Sequence, residues 1–180
     1  TKPFDRGSST VKRGRGVAVG FKASIAPTTS IAIVNVAGDG SVTLYISTVD
    51  MGQGSDTAMA QIVAETLALP TEDVKVIHPD TDVTPYDMAT LGSRSTFHTG
   101  NAVKLAAEHA RDQLAALAKN LGLPDGVNYG PDELFKKKYG MQAGNIIGVG
   151  SFIPNYKSPE HGTGLSDNVT PFWMVGGTGV

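Results

Sequence analysis

The chain has 180 residues, 40% hydrophobic and 18% charged, a balance that supports one folded domain with its own core and excludes wholesale disorder. Fifteen basic residues stand against seventeen acidic ones, and the one basic block is Lys136-Lys137-Lys138, so nucleic acid is not an expected partner. There is no cysteine, which excludes disulfides, thiolate zinc sites and iron–sulfur clusters held by this chain.

A cysteine-free sequence suits a reducing compartment, and a cytoplasmic location is expected. No apolar run approaches the roughly 20 residues that span a bilayer, so no membrane association is expected. The opening Thr1-Lys2-Pro3-Phe4-Asp5-Arg6-Gly7 has neither an initiator methionine nor the apolar core of a signal peptide. The expectation is a piece of something longer, with an irregular segment over 1–15 and a single domain over 16–180, truncated at both ends.

Residues 16–21 (Gly-Val-Ala-Val-Gly-Phe) read as a first strand. Residues 31–36 and 42–48 alternate more strongly, and Gly38-Asp39-Gly40 between them is a hairpin signal. The spacing then predicts a helix over 56–69, with Ala58, Ile62, Val63, Thr66 and Leu69 as its apolar stripe and Pro70 as its stop. A strand is expected over 73–78, followed by a turn-rich loop from Pro79 to Pro85. The longest helix is predicted from Ser95 or Thr96 to Leu121, with Val103, Ala107, Ala110, Leu114, Leu117 and Leu121 inward, Gly122 as C-cap and Pro124 beyond. A short helix over 132–139, with the lysine run on its solvated face, and a strand over 145–153 complete the core. In the Pro- and Gly-rich remainder only Phe172-Trp173-Met174-Val175 is strand-like. The order β-β-α-β-α, then helix and strand, predicts an α+β fold: a two-layer mixed sheet with helices packed on one face.

Two loops carry the chemistry. Met51-Gly52-Gln53-Gly54 lies between a strand end and a helix start, where glycine backbone, helix N-terminus and a glutamine amide can together hold an anion. Glycines at such a turn also serve structure alone. The loop Thr90-Leu91-Gly92-Ser93-Arg94-Ser95-Thr96 repeats the arrangement before the longer helix. Here Ser95 or Thr96 could simply cap the long helix, and Arg94 could face solvent or pair with a nearby carboxylate. His98, near this loop, is a candidate ligand contact, whereas His109 sits at the edge of a helical stripe. Asp80, Asp82 and Asp87 lack calcium-site spacing, and the four histidines lack metal-site spacing. Gly14-Arg15-Gly16 precedes a strand instead of following one, the wrong context for a dinucleotide fingerprint. No acid–base pair or activated nucleophile stands out, which points to a ligand-binding domain without its own catalytic residue.

Residues 42–54 with Thr57 and Gln61, then Leu69-Pro70 and Val74, then Gly92–Thr96 and Gly100-Asn101-Ala102-Val103, resemble the molybdopterin-binding large subunit of the xanthine dehydrogenase and aldehyde oxidase family. The resemblance covers 13–110 and continues more weakly through Gly148-Val149-Gly150 to Phe172–Gly176. It implies a molybdenum cofactor, molybdopterin or molybdopterin cytosine dinucleotide, whose metal is held by the pterin dithiolene and not by protein side chains. The Gly52-Gln53-Gly54 loop would then contact the pterin and its phosphate, with Thr57 beside it. Gly92 would face the molybdenum ligands through its backbone, and Ser93, Ser95 and Thr96 would lie on the pterin and phosphate side. The implied reaction is hydroxylation of an electrophilic carbon, with electrons leaving through iron–sulfur and FAD subunits or domains. The family's base glutamate and first cofactor-binding half fall outside this stretch, so no catalytic residue is expected here and the fragment alone should be inactive. Its expected partner is the remainder of the large subunit. The competing reading is a freestanding phosphate- or nucleotide-binding module without redox activity.

Overall fold

The computed structural model describes residues 7, 8, 10–18, 27–77, 79–127, 129–157 and 160–165. Its elements follow in the order β1 (Ser30–Ala37), β2 (Val42–Tyr45), α1 (Ser55–Leu67), β3 (Val74–Ile77), α2 (Gly100–Asn120), α3 (Pro131–Tyr139) and β4 (Asn145–Phe152). The sheet order is β3-β2-β1-β4. β1 runs antiparallel to β2 and to β4, while β2 and β3 are parallel. The tight hairpin forces the first pairing, and the helical crossover through α1 permits the parallel one. This is the expected α+β fold, a mixed sheet with three helices against it.

Alternation decides which face of the sheet is buried. Ala32, Val34 and Val36 of β1 and Val42 and Leu44 of β2 point inward, where Met59 and Val63 of α1 and Val103 and Ala107 of α2 meet them. Burying a Val, Leu or Met side chain contributes about 1.5–3 kcal/mol. The hairpin is tightened by Asp39, whose Oδ1 accepts from the Ser41 amide at 2.9 Å and the Ser41 hydroxyl at 2.7 Å.

Several expectations shift. The strand expected over 42–48 pairs only to Tyr45, although the alternation continues through buried Ile46 and Thr48. At the start of β1, Ser30 makes an isolated antiparallel bridge to Asp87. In α1 the buried residues are Ser55, Met59, Ala60, Val63 and Ala64, so the face is rotated from the expected stripe. Ile62 turns instead toward the start of α2. Residues 16–18 are exposed and outside the sheet, while the rest of that expected strand, His78 and 172–175 lie outside the described residues. The lysine run is exposed in the last turn of α3, near the helix's partial negative end, with Lys137 3.6 Å from Glu133.

α2 packs against β4 at unusually short range because β4 carries glycine where it crosses. A Cβ on Gly148 would stand 2.0 Å from the Ala106 carbonyl oxygen, and one on Gly150 2.0 Å from that of Ala102. α2 ends as expected: Gly122 adopts φ 68° and the Leu123 amide returns to the Ala118 carbonyl at 3.1 Å.

Candidate functional site

Both loops line one groove of about 950 Å³, walled by Met51 and Gln53 on one side and by residues 90–97 with Asn101 on the other. Small-molecule sites run to roughly 300–1,000 Å³. The loops are tied directly: the Thr90 hydroxyl accepts from the Val49 amide at 2.8 Å and donates to the Val49 carbonyl at 3.3 Å. Of the residues singled out from the sequence, Gln53, Gly92, Ser93, Ser95 and Thr96 are brought together here. Gly52, Gly54 and Thr57 are not on its wall.

The first loop's donors are turned inward. Asp50 Oδ1 accepts from the amides of Gly52 at 2.8 Å and Gly54 at 3.4 Å, and Oδ2 accepts from that of Asp56 at 3.2 Å. Those amides, led by that of Gly52, hold the Asp50 carboxyl below the usual carboxylate range. The anion at this helix N-terminus is therefore the chain's own. Gln53 also braces its turn: Nε2 donates to the Val49 carbonyl at 2.8 Å and the Ser55 hydroxyl at 3.2 Å, while Oε1 accepts from the Met51 amide. One acceptor lone pair on Oε1 remains for anything in the groove.

The second loop is built differently. Gly92 and Ser93 are both left-handed, at φ 59° and 58°. For serine that conformation is strained and persists only where its surroundings impose it. Ser95 and Thr96 do not cap a helix: α2 is led in by Arg94 and a wide π turn over Ser95–Thr99, with no side-chain cap. Such turns recur at functional sites. Among the described residues, the hydroxyls of Ser93, Ser95 and Thr96 make no hydrogen bond.

Arg94 takes the carboxylate of the two alternatives. It is buried and paired with Asp87, and its guanidinium also donates to the Ala89 carbonyl at 3.0 Å and the Ser30 hydroxyl at 2.8 Å. His98 does not reach the groove wall. It is fully buried, with Nε2 3.0 Å from the Tyr156 hydroxyl and its ring edge-on to Phe97 and Phe152. Burial, then the Arg94 charge, depress its pKa, while the Thr28 backbone opposes them. His109, at the stripe edge as expected, accepts at Nδ1 from the Val149 amide of β4 at 3.2 Å. Thr90 falls within the loop read from the sequence; the roles of Asp50 and Asp87 were not legible there, because their partners lie across turns or in other elements.

The molybdopterin cofactor-binding domain family matches residues 1–174. A probable hypoxanthine oxidase, XdhD, of Escherichia coli K12 is 32% identical over 166 residues, 81% of this chain but 17% of that protein. The putative xanthine dehydrogenase molybdenum-binding subunit XdhA of the same organism is 38% identical over 81 residues, 44% of this chain and 11% of its own length. Among solved structures, CO dehydrogenase from Oligotropha carboxidovorans superposes with a TM-score of 0.61 at 26% identity, over 70% of this chain and 18% of that one. The aldehyde oxidoreductase from Desulfovibrio desulfuricans ATCC 27774 gives 0.55 at 32% identity, over 73% and 14%. The chain belongs to the molybdopterin cofactor-binding domain family of the molybdenum hydroxylases, and it spans less than a fifth of the length of these relatives.

The second loop's residues fit such a group. Three unengaged hydroxyls beside a left-handed backbone turn suit a polar, phosphate-bearing ligand. Among the described residues no group of three His, Cys, Asp or Glu is placed to hold a metal ion. The first loop fits through Met51 and Gln53 only, since Asp50 fills its amides.

Proposed function

We propose that the groove is part of the cofactor pocket in the large subunit of a molybdenum hydroxylase acting on an aldehyde, an N-heterocycle or a related substrate. The observation that carries this reading is the convergence of Met51, Gln53 and residues 90–97 on one groove, with the hydroxyls of Ser93, Ser95 and Thr96 unengaged on its wall. Ser93, Ser95 and Thr96 hold the pterin and phosphate oxygens, Gly92 presents backbone toward the metal end, and Gln53 offers its remaining acceptor. Gly52, Gly54 and Thr57 act by shaping the first turn. The group, as molybdopterin or its cytosine dinucleotide, supplies two-electron redox chemistry and Lewis acidity. This chain binds and orients, and the remainder of the subunit closes the pocket. Iron–sulfur and FAD partners carry electrons away.

In the natural full-length chain, replacing both Ser93 and Ser95 by alanine should lower molybdenum and pterin per folded protein while leaving the thermal midpoint within a few degrees. Unchanged cofactor content in the folded double variant would remove this loop from the pocket.

A further inference from the structure

The groove wall is held from below by a buried ion pair in a cage of hydroxyls. Arg94 and Asp87 each expose about 1% of their side chains. Ser30 of β1 donates to Asp87 Oδ2 at 3.1 Å while accepting from Arg94. Thr48, just past β2, donates to the Thr99 hydroxyl at 2.7 Å, and Thr99 passes the chain on to Asp87 Oδ2 at 2.9 Å. The network therefore joins β1, the end of β2, the 85–95 segment and the turn that opens α2.

Arg94 touches the groove lining, and a cation on an anion site invites the reading that it binds the ligand. The donor count argues otherwise. A guanidinium has five N–H donors in a fixed fork. Asp87 and the Ala89 carbonyl take those of one terminal nitrogen, and Ser30 and the Thr29 carbonyl, the latter at 3.3 Å, take those of the other. Only the buried Nε–H is left. The charge is already neutralised by Asp87, and the groove sees little of it.

What the pair can do is impose a backbone. Gly92 and Ser93 adopt the left-handed conformation immediately before Arg94, and the Arg94 amide closes the turn on the Leu91 carbonyl at 3.1 Å. Anchoring the next residue by four side-chain bonds over-determines that turn. We infer that Asp87 and Arg94 are positioning residues: their buried pair holds Gly92–Thr96 in the shape that presents Ser93, Ser95 and Thr96 to the groove. This rests on the cofactor reading only for what occupies the groove.

The test uses the natural full-length chain with Asp87→Asn, Arg94→Gln, their double variant and Arg94→Lys. Amide hydrogen exchange over 91–97 is followed without cofactor, and molybdenum per folded protein is measured after loading. Breaking a buried charged pair from either side should speed loop exchange roughly ten- to a hundredfold, with exchange in β1 and α1 little changed. The double variant should do no worse than either single one, and lysine should not rescue, because it lacks the fork. Cofactor content should fall in parallel. Loop exchange at the parent rate in Asp87→Asn would overturn the inference. So would cofactor retained in Asp87→Asn and Arg94→Lys but lost in Arg94→Gln, the pattern of a cation acting on the ligand. Should Arg94→Gln fail to fold, Asp87→Asn and Arg94→Lys still decide. Faster loop exchange with unchanged cofactor content would support the positioning role and count against the cofactor reading.

Discussion

Gly150→Ala should be costly, and the reason is geometric. The added Cβ would lie 2.0 Å from the Ala102 carbonyl oxygen and 2.5 Å from the Ala106 nitrogen, whereas ordinary contact begins at 3.4 Å. Both obstacles are helix backbone, so no side chain can swing aside. α2 must retreat from β4 by about 1.4 Å, breaking its packing along the sheet. Overpacking a well-filled interior costs about 1–3 kcal/mol, and a rigid obstacle places this case at about 3 kcal/mol. For a chain of this size that lowers the thermal midpoint by roughly 6–12 °C. Gly148→Ala, 2.0 Å from the Ala106 carbonyl oxygen, should behave alike. Gly16→Ala, with nothing within 4 Å, should stay within about 0.5 kcal/mol. Thermal unfolding followed by circular dichroism checks all three. Losses under about 1 kcal/mol for both β4 variants would refute the close helix–strand approach. Because α2 continues directly from the second loop, its retreat should also reduce cofactor content in the full-length chain.

Gln53→Ala removes three bonds within its own turn, each contributing about 0.5–1.5 kcal/mol before exposure reduces it; the thermal midpoint should fall by a few degrees and molybdenum per folded full-length chain should fall with it, and an unchanged molybdenum content would leave Gln53 a brace only. His98 has a folded pKa below its ordinary 6.5, so the unfolded chain binds the extra proton first and stability should fall as pH drops below about 6.5. His98→Phe should flatten that part of the stability–pH curve, and an unaltered slope would assign it to other groups. The 180-residue chain purified alone should contain no stoichiometric molybdenum by elemental analysis, since a ligand this polar needs many simultaneous hydrogen bonds to offset desolvation.

Much of this architecture could be read from periodicity. Val34, Val36, Val42 and Leu44 alternate as a half-buried hairpin must, and Val103, Ala107, Ala110 and Leu117 fall on the buried face of α2. α1 was less legible because alanines surround it: with Ala58, Ala60 and Ala64 all small, spacing alone did not fix whether Met59 or Ile62 marks the inner face. Both loops were found from glycine and hydroxyl chemistry at helix starts, and the groove does bring them together. What stayed hidden was competition from the chain's own side chains. Asp50 stands two residues before Gly52, and nothing in a glycine-rich loop says that its amides will be filled from within. Asp87 and Arg94 are seven residues apart in irregular chain, so their pairing depends on Ser30, Thr48 and Thr99 arriving from elsewhere. One hint was present: Thr48 continues the inward series Val42, Leu44, Ile46, and a hydroxyl on a buried face calls for a polar partner.

The most direct test of the central claim is a crystal structure of the natural full-length chain loaded with its cofactor. The account places a pterin or phosphate oxygen within hydrogen-bond distance of Ser93, Ser95 or Thr96, with Asp50 still accepting from the Gly52 and Asp56 amides. A cofactor bound away from residues 90–97, or a phosphate seated on the Gly52–Gly54 amides with Asp50 displaced, would contradict it.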